Sequence, residues 1–323
     1  MSRRYQNLPF IQKVIVTSML ILFTYLIIQA FNKLGFLNRY WMGILLNVCI
    51  NVIMVVSLNI TTGFLGQLTL GHAGFMAVGA YFSAFTSKTL LVSLPLDIAF
   101  VISLILGGLL ALVFGAIVCI PTLRLKGDYL AIITLAFGEV IKNILLNLDI
   151  IGGAKGYFGI SRTSTFTIAY IFAVITIVVS YSLFKTRQGR AIISVREDEI
   201  AAEASGVNTD NYKMLAFIIA AFFAGIGGGL YAHNMGILEP KVFKLDKSIE
   251  FLVMVVLGGM GSLKGSVIAA TVLTILPELL RSVSEFRMLF YALALILMML
   301  YRYDDRLQPF RSKLLTLFKR RKE

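Results

Sequence analysis

Charge is missing from long stretches of this chain, and that absence restricts its fold more than any motif. Residues 98–120, 166–184 and 214–238 contain no Asp, Glu, Lys or Arg, and none occurs between Arg39 and Lys88. At 1.5 Å per residue each of the first three can cross a hydrocarbon core about 30 Å thick. The fourth is long enough for more than one crossing, turned near Asn59, Thr61, Thr62 and Gly63. With 58% of 323 residues hydrophobic and 15% charged, little is left for a soluble domain. The fold class is therefore all-α, a polytopic membrane bundle, with residues 1–323 forming one integral domain.

Length and punctuation place spans near 13–31, 41–60, 64–87, 97–121, 129–148, 166–184, 213–235, 249–260, 265–280 and 286–302, about ten in all. The eighth and ninth are short, and Gly258, Gly259, Gly261 and Gly265 between them suggest a broken or re-entrant pair near 249–280. Irregular backbone survives at membrane depth only beside protein or a water-filled cavity, so a pathway is expected near this break. The first run follows Arg3, Arg4 and Lys13 without a small-residue cleavage site and reads as a retained signal anchor. A duplication into two five-span halves would suit a transporter.

Cytoplasmic loops carry the excess of Lys and Arg. Ten crossings with both termini inside give the cytoplasmic segments 19 of the 30 basic residues, including the basic tail 303–323. The net charge of +13 is then mostly a topology signal; nucleic-acid binding would need a soluble domain that the sequence lacks. Cys49 and Cys119 lie in apolar runs without metal-ligand spacing and read as small packing residues. His72 has no second metal ligand at i+3 or i+4.

No nucleotide loop of the form GxxxxGK followed by Ser or Thr occurs, so the chain is not expected to hydrolyse ATP or to bind a cofactor itself. A self-sufficient secondary transporter would need intramembrane ionisable groups, and these are few: His72, Glu139, Lys142 and His233. An intramembrane enzyme would need clustered Asp, His or Cys, which Asp304 and Asp305 alone do not supply.

Residues 63–81 read GFLGQLTLGHAGFMAVGAY, with glycines that let backbones approach closely in lipid and polar groups that are costly there. Gln67, Thr69, Gly71, His72 and Gly74 are candidates for lining a translocation path, against the alternative of helix packing. Glu139 joins them, although one turn from Lys142 it can equally form a structural pair. On the fourth span Gly107, Ala111 and Gly115 form a packing stripe. Tyr40 and Trp41 are interface anchors, and His233 is a boundary polar residue.

The polar island at 185–213 reads KTRQGRAIISVREDEIAAEASGVNTDNYK. Ile193, Ile200 and Val207 fall seven apart, which predicts a short helix with one narrow apolar line, stopped at Gly206. So long a cytoplasmic segment between spans is a surface for another protein to grip.

The strings VREDEIAAEASGVNTDNYKMLAFIIAAFFAGIGGGLYA, VLGGMGSLKGSVIAA, LTLGHAGFMAVGAY and RLKGDYLAIITLAFGEV resemble the LivM-type permeases of branched-chain amino acid ATP-binding-cassette importers, over residues 47–303. The resemblance implies a non-catalytic subunit of the cell membrane, working with a second homologous permease, two cytoplasmic ATPases that hold ATP and Mg, and an extracytoplasmic substrate-binding protein. It implies leucine, isoleucine or valine as cargo, with urea, short amides or other amino acids as alternatives. It also implies that 185–213 is the coupling segment, through Glu197, Glu199, Ala201, Ala202, Glu203, Ala204 and Gly206. The importer pattern of Glu-Ala-Ala, three residues, then Gly is altered here, because Glu199-Ile200-Ala201-Ala202 and Glu203-Ala204 both precede Gly206. Which acidic residue heads the pattern stays open.

Overall fold

The structure, a computed structural model, describes residues 23–31 and 38–280 except 92, 93, 124 and 126, together with 34, 35, 292 and 296. Most of the expected span 286–302 and the tail 303–323 lie outside the described residues.

Helix follows helix. After α1 (residues 23–31) come α2 (Arg39–Asn59), α3 (His72–Phe85), α4 (Leu96–Thr122), α5 (Asp128–Asn147) and α6 (Phe166–Lys185). The island forms α7 (Arg187–Glu197) and α8 (Glu199–Ala204); α9 (Thr209–Met235), α10 (Leu245–Gly258) and α11 (Leu263–Leu279) complete the order. A two-residue antiparallel ribbon, Tyr157–Phe158 with Ile237–Leu238, closes the end of the bundle away from α7. Five helical segments among the described residues are long and apolar enough to cross a membrane: Arg39–Phe64, Leu96–Thr122, Asp128–Asn147, Phe166–Lys185 and Thr209–Met235. The protein is thus an all-α membrane protein, with α3, α10 and α11 shorter than a full span.

The centre is α9, and it is glycine that lets the others reach it. A methyl group on Gly228 would strike the carbonyl of Met76 in α3, and one on Gly79 would strike the backbone of Gly225. The Gly107–Ala111–Gly115 stripe of α4 lies on α9 as well: a methyl on Gly115 would come 2.5 Å from the Ala221 Cβ, and one on Gly225 2.6 Å from that of Ala111. Lipid offers no hydrophobic drive for helices to associate, so such close backbone approach is what holds them.

One expected span takes a different course. The span at 64–87 is not one helix: α2 runs into a π-helical turn, Ile60–Phe64, residues 65–71 are non-helical, and α3 starts only at His72. Gly66, at φ +77°, permits the turn out of α2. The donors freed at the break find partners on other helices, Leu70 N–H on Thr134 Oγ1 at 3.1 Å and Ala73 N–H on Ser248 Oγ at 3.0 Å. Without them a helix start could not be buried.

The expected broken or re-entrant pair takes the form of a hairpin, α10 and α11. Along α11, Ser266, Thr274 and Glu278 meet Asn59, Asn51 and Tyr40 in turn, so α11 runs antiparallel beside all of α2. Gly258, Gly259, Gly261 and Gly265 therefore make a tight turn at the α7 end of the bundle, where the backbones of Gly258 and Gly265 touch.

Candidate functional site

The island is seated on the bundle by its own apolar side. Thr186 separates α6 from α7, its hydroxyl accepting from Gly189 N–H at 3.4 Å, and α7 buries Ile192 and Val195 in a cluster with Ile60, Leu65, Leu183 and Phe217. At Asp198 the chain leaves the helix with φ −160°, and the Asp198 carboxylate accepts from Ile200 N–H at 3.0 Å and Ala201 N–H at 3.1 Å to open α8. An aspartate serves an N-cap better than a helix interior, so the single expected helix is two. The expected line of Ile193, Ile200 and Val207 is broken by it: Ile200 is 75% exposed. Beyond α8, Gly206 takes φ +83°, and Val207 N–H returns to the Ala202 carbonyl at 3.0 Å.

The expected coupling residues separate into two groups. Glu199 turns inward and pairs with Lys213 at 2.5 Å; Lys213 is 1% exposed and also donates to the Leu123 carbonyl at 3.0 Å. Ala202 is buried, and Glu203 accepts from the Thr209 hydroxyl at 2.7 Å. Glu197, Ala201, Glu203, Ala204 and Gly206 are exposed, and Ile200 stands among them. The outer face of the island is thus short and small-residued, with one isoleucine and exposed carboxylates, of which Glu197 pairs with Arg196 Nε at 3.8 Å.

Arg196 is the residue that sequence reasoning passed over. Its Nη1 donates to the Gly63 carbonyl at 2.9 Å, in the π-helical turn, and lies beside Gly261 in the α10–α11 turn. Its stem covers Gly66, where a methyl would come 2.7 Å from the Arg196 Cγ. Below it the buried Asn59 amide accepts from Gly261 N–H at 2.9 Å and donates to Ser266 Oγ at 3.0 Å. One guanidinium and one amide therefore join α7, the chain break and the glycine turn. The sequence signal was weak: glycines at 63, 66 and 261 mark backbone that others approach closely, but nothing in the pattern names Arg196 as their neighbour.

A cavity of about 330 Å³ opens between the break and the island, lined by Gly66, Gln67 and Leu130 on one side and by Arg196, Glu197 and Glu199 on the other. Of the expected path residues only Gln67 reaches it. Thr69 and His72 are 3% and 1% exposed, and His72 Nε2 meets Ser57 Oγ at 2.9 Å inside the chain's own packing. Gly71 and Gly74 bring α3 against α5: a methyl on the first would strike the Thr134 carbonyl, and one on the second would lie 2.9 Å from Gly138 Cα. Glu139 sits one residue further along α5, half-exposed and paired with Lys142.

Residues 40–301 match the family described as branched-chain amino acid transport system permease component. The chain is 34% identical over 300 residues to the high-affinity branched-chain amino acid transport system permease protein LivM of Salmonella typhimurium, covering 82% of this chain and 69% of that one. It is also 25% identical over 194 residues to the nucleoside ABC transporter permease protein NupC of Lactococcus lactis, covering 52% of this chain and 59% of that one. To the Salmonella permease LivH it is 30% identical over 140 residues, 42% of this chain and 44% of that one. No solved structure gives a significant match.

Proposed function

This chain belongs to the family of branched-chain amino acid transport permease components, and from that premise we propose that it carries leucine, isoleucine or valine inward as one subunit of an ATP-driven importer. It is a multi-pass inner-membrane protein. Its partners in this reading are a second, LivH-like permease, two cytoplasmic ATPases that bind ATP and Mg, and an external binding protein that delivers the cargo. Both termini and the island lie in the cytoplasm.

The observation that carries the coupling role is the seat of Arg196. An ATPase that moves the island must move something in the bundle, and α7 is hydrogen-bonded through Arg196 to the π-helical turn at Gly63. The exposed set Glu197, Ile200, Ala201 and Ala204 is the surface offered to the ATPase cleft. Glu199 and Ala202 support it from within, the exposed Glu203 ties it to Thr209, and Gly206 ends it. Gln67 lines the cavity under the island, while Thr69, Gly71, His72 and Gly74 hold the break in place.

The reading is tested by Glu197→Lys with Ile200→Asp in the complete transporter. Both positions are exposed, so the permease should reach the membrane in wild-type amount and yet lose its ATPase on purification or waste its ATP hydrolysis; normal ATP-dependent uptake of leucine would refute it. Uptake that collapses with an uncoupler at constant ATP would instead favour an ion-coupled secondary transporter. Orientation is checked separately with cysteines at Ser161 and Ser205, both exposed and at opposite ends of the bundle. Only the first should react with an impermeant thiol reagent on intact cells.

A further inference from the structure

Three long helices turn a face away from the other described residues, and those faces differ in kind. On α4 the outward positions are Ile105, Leu109, Val113, Ile117 and Ile120; on α6 they are Ile171, Ile175, Val178 and Val179. Along these stretches both are hydrocarbon and suit lipid, the exposed Tyr181 and Ser182 of α6 lying near its end. On α5 the outward stripe of Ile132, Ile133, Ala136, Val140 and Ile144 includes the exposed Asn143. At its edge, in the second half of the helix, lies the Glu139–Lys142 pair, whose side chains are 37% and 15% exposed.

Ionisable groups within membrane spans face protein or water, because each costs several kcal/mol in hydrocarbon and even a neutralised pair keeps unsatisfied donors and acceptors there. A lipid-facing α5 would expose this pair within the apolar part of the helix, with Lys142 five residues from its end. Yet its other side is already committed, with Thr134 and Gly138 against Gly71 and Gly74 of α3. The outward face must meet something polar enough to accept the pair and apolar enough to cover four branched side chains.

We infer that the outward face of α5 is the seam against a second, homologous permease of the LivH kind, with Glu139 and Lys142 inside that seam. This rests on the reading of the chain as one of a permease pair. The LivH match makes the partner a relative of this chain. Two related chains that pair through related surfaces do so about a near-twofold axis, α5 beside α5. In that arrangement the pair is covered by protein, whose backbone and polar side chains can accept it as hydrocarbon cannot.

Site-specific photo-crosslinking in the co-expressed complex tests the seam. A benzophenone amino acid is placed at Ile132, Val140 or Ile144 of α5, and at Val113 of α4 and Ile175 of α6 as controls. The expected result is a covalent adduct with the LivH-like permease from the α5 positions only. Adducts from Val113 or Ile175 with none from α5, or adducts joining two copies of this chain, overturn the inference. A partner that never co-purifies with the unmodified chain defeats the permease-pair reading itself, whereas one that co-purifies while α5 stays silent defeats the seam alone. As a second readout, Glu139→Leu alone, which would leave Lys142 without its carboxylate inside the seam, should lower co-purification of the partner permease. Unchanged pairing in that variant would overturn the placing of the pair in the seam.

Discussion

α9 and α5 are both apolar helices of membrane length, but the chain treats them in opposite ways. Two-thirds of the apolar stretch of α9 is buried within the chain, against 28% for α5. Each carries a lysine paired with a glutamate. Lys213 of α9 is 1% exposed and locked to Glu199 of the island, whereas Lys142 of α5 is paired along its own helix on an open face. The difference teaches that a polar group in a span has to be judged by what surrounds its helix: the α9 pair fastens one element to another, and the α5 pair awaits a neighbour.

The largest expected effect that would sharpen this contrast is Glu199→Ala. Removing one partner of a buried ion pair costs about 3–5 kcal/mol, and the lower figure applies because Glu199 is 21% exposed. Thermal unfolding in detergent should show a large fall; a wild-type midpoint would mean that Lys213 is not held by this pair. Next comes Gly228→Leu, which forces a side chain into the Met76 carbonyl and should cost about 1–3 kcal/mol or more, read as loss of monodisperse protein on size exclusion. Retained folding would show that α9 is not packed by backbone contact.

A smaller effect is expected between the two helices, at α3. His72→Leu leaves the buried Ser57 hydroxyl with only its bond to the Met54 carbonyl and should cost about 1 kcal/mol, with transport reduced in proportion to folded protein. A transport defect much larger than the loss of folded protein would restore His72 to the translocation path. Smallest of all, Glu139→Ala in the isolated chain should change stability by about 0–1 kcal/mol, as for other partly exposed pairs. A loss as large as that for Glu199 would erase the distinction between the two pairs.

The spans of α4, α6 and α9 were legible from charge-free runs, and the close-packing stripe of α4 from the spacing of its small residues. The stop at Gly206 was legible too, since glycine after an alanine-rich turn has a local cause. The break at 65–71 was not, because residues 40–87 contain no charge to punctuate them and its partners, Thr134 and Ser248, come from distant helices. Asp198 was hidden inside an acidic run that reads as continuous helix. Lys213 and Arg196 were hidden for a related reason: a basic residue in a polar segment looks solvated, and only the tertiary fold brings Leu123 and Gly63 within reach of their donors. For the candidate path the sequence named polar residues correctly as unusual, but burial against Ser57 and Thr61 depends on how α3 is seated.

The single bond from Arg196 to Gly63 also sets an energy scale. A hydrogen bond from a charged donor contributes about 1.5–3 kcal/mol, and the lower end fits a side chain that is 40% exposed. That corresponds to a bias of roughly tenfold toward the fastened arrangement. Such a clasp opens spontaneously in a small but constant fraction of molecules. In the coupling role proposed above, a contact of this strength is weak enough to be broken and remade in every cycle.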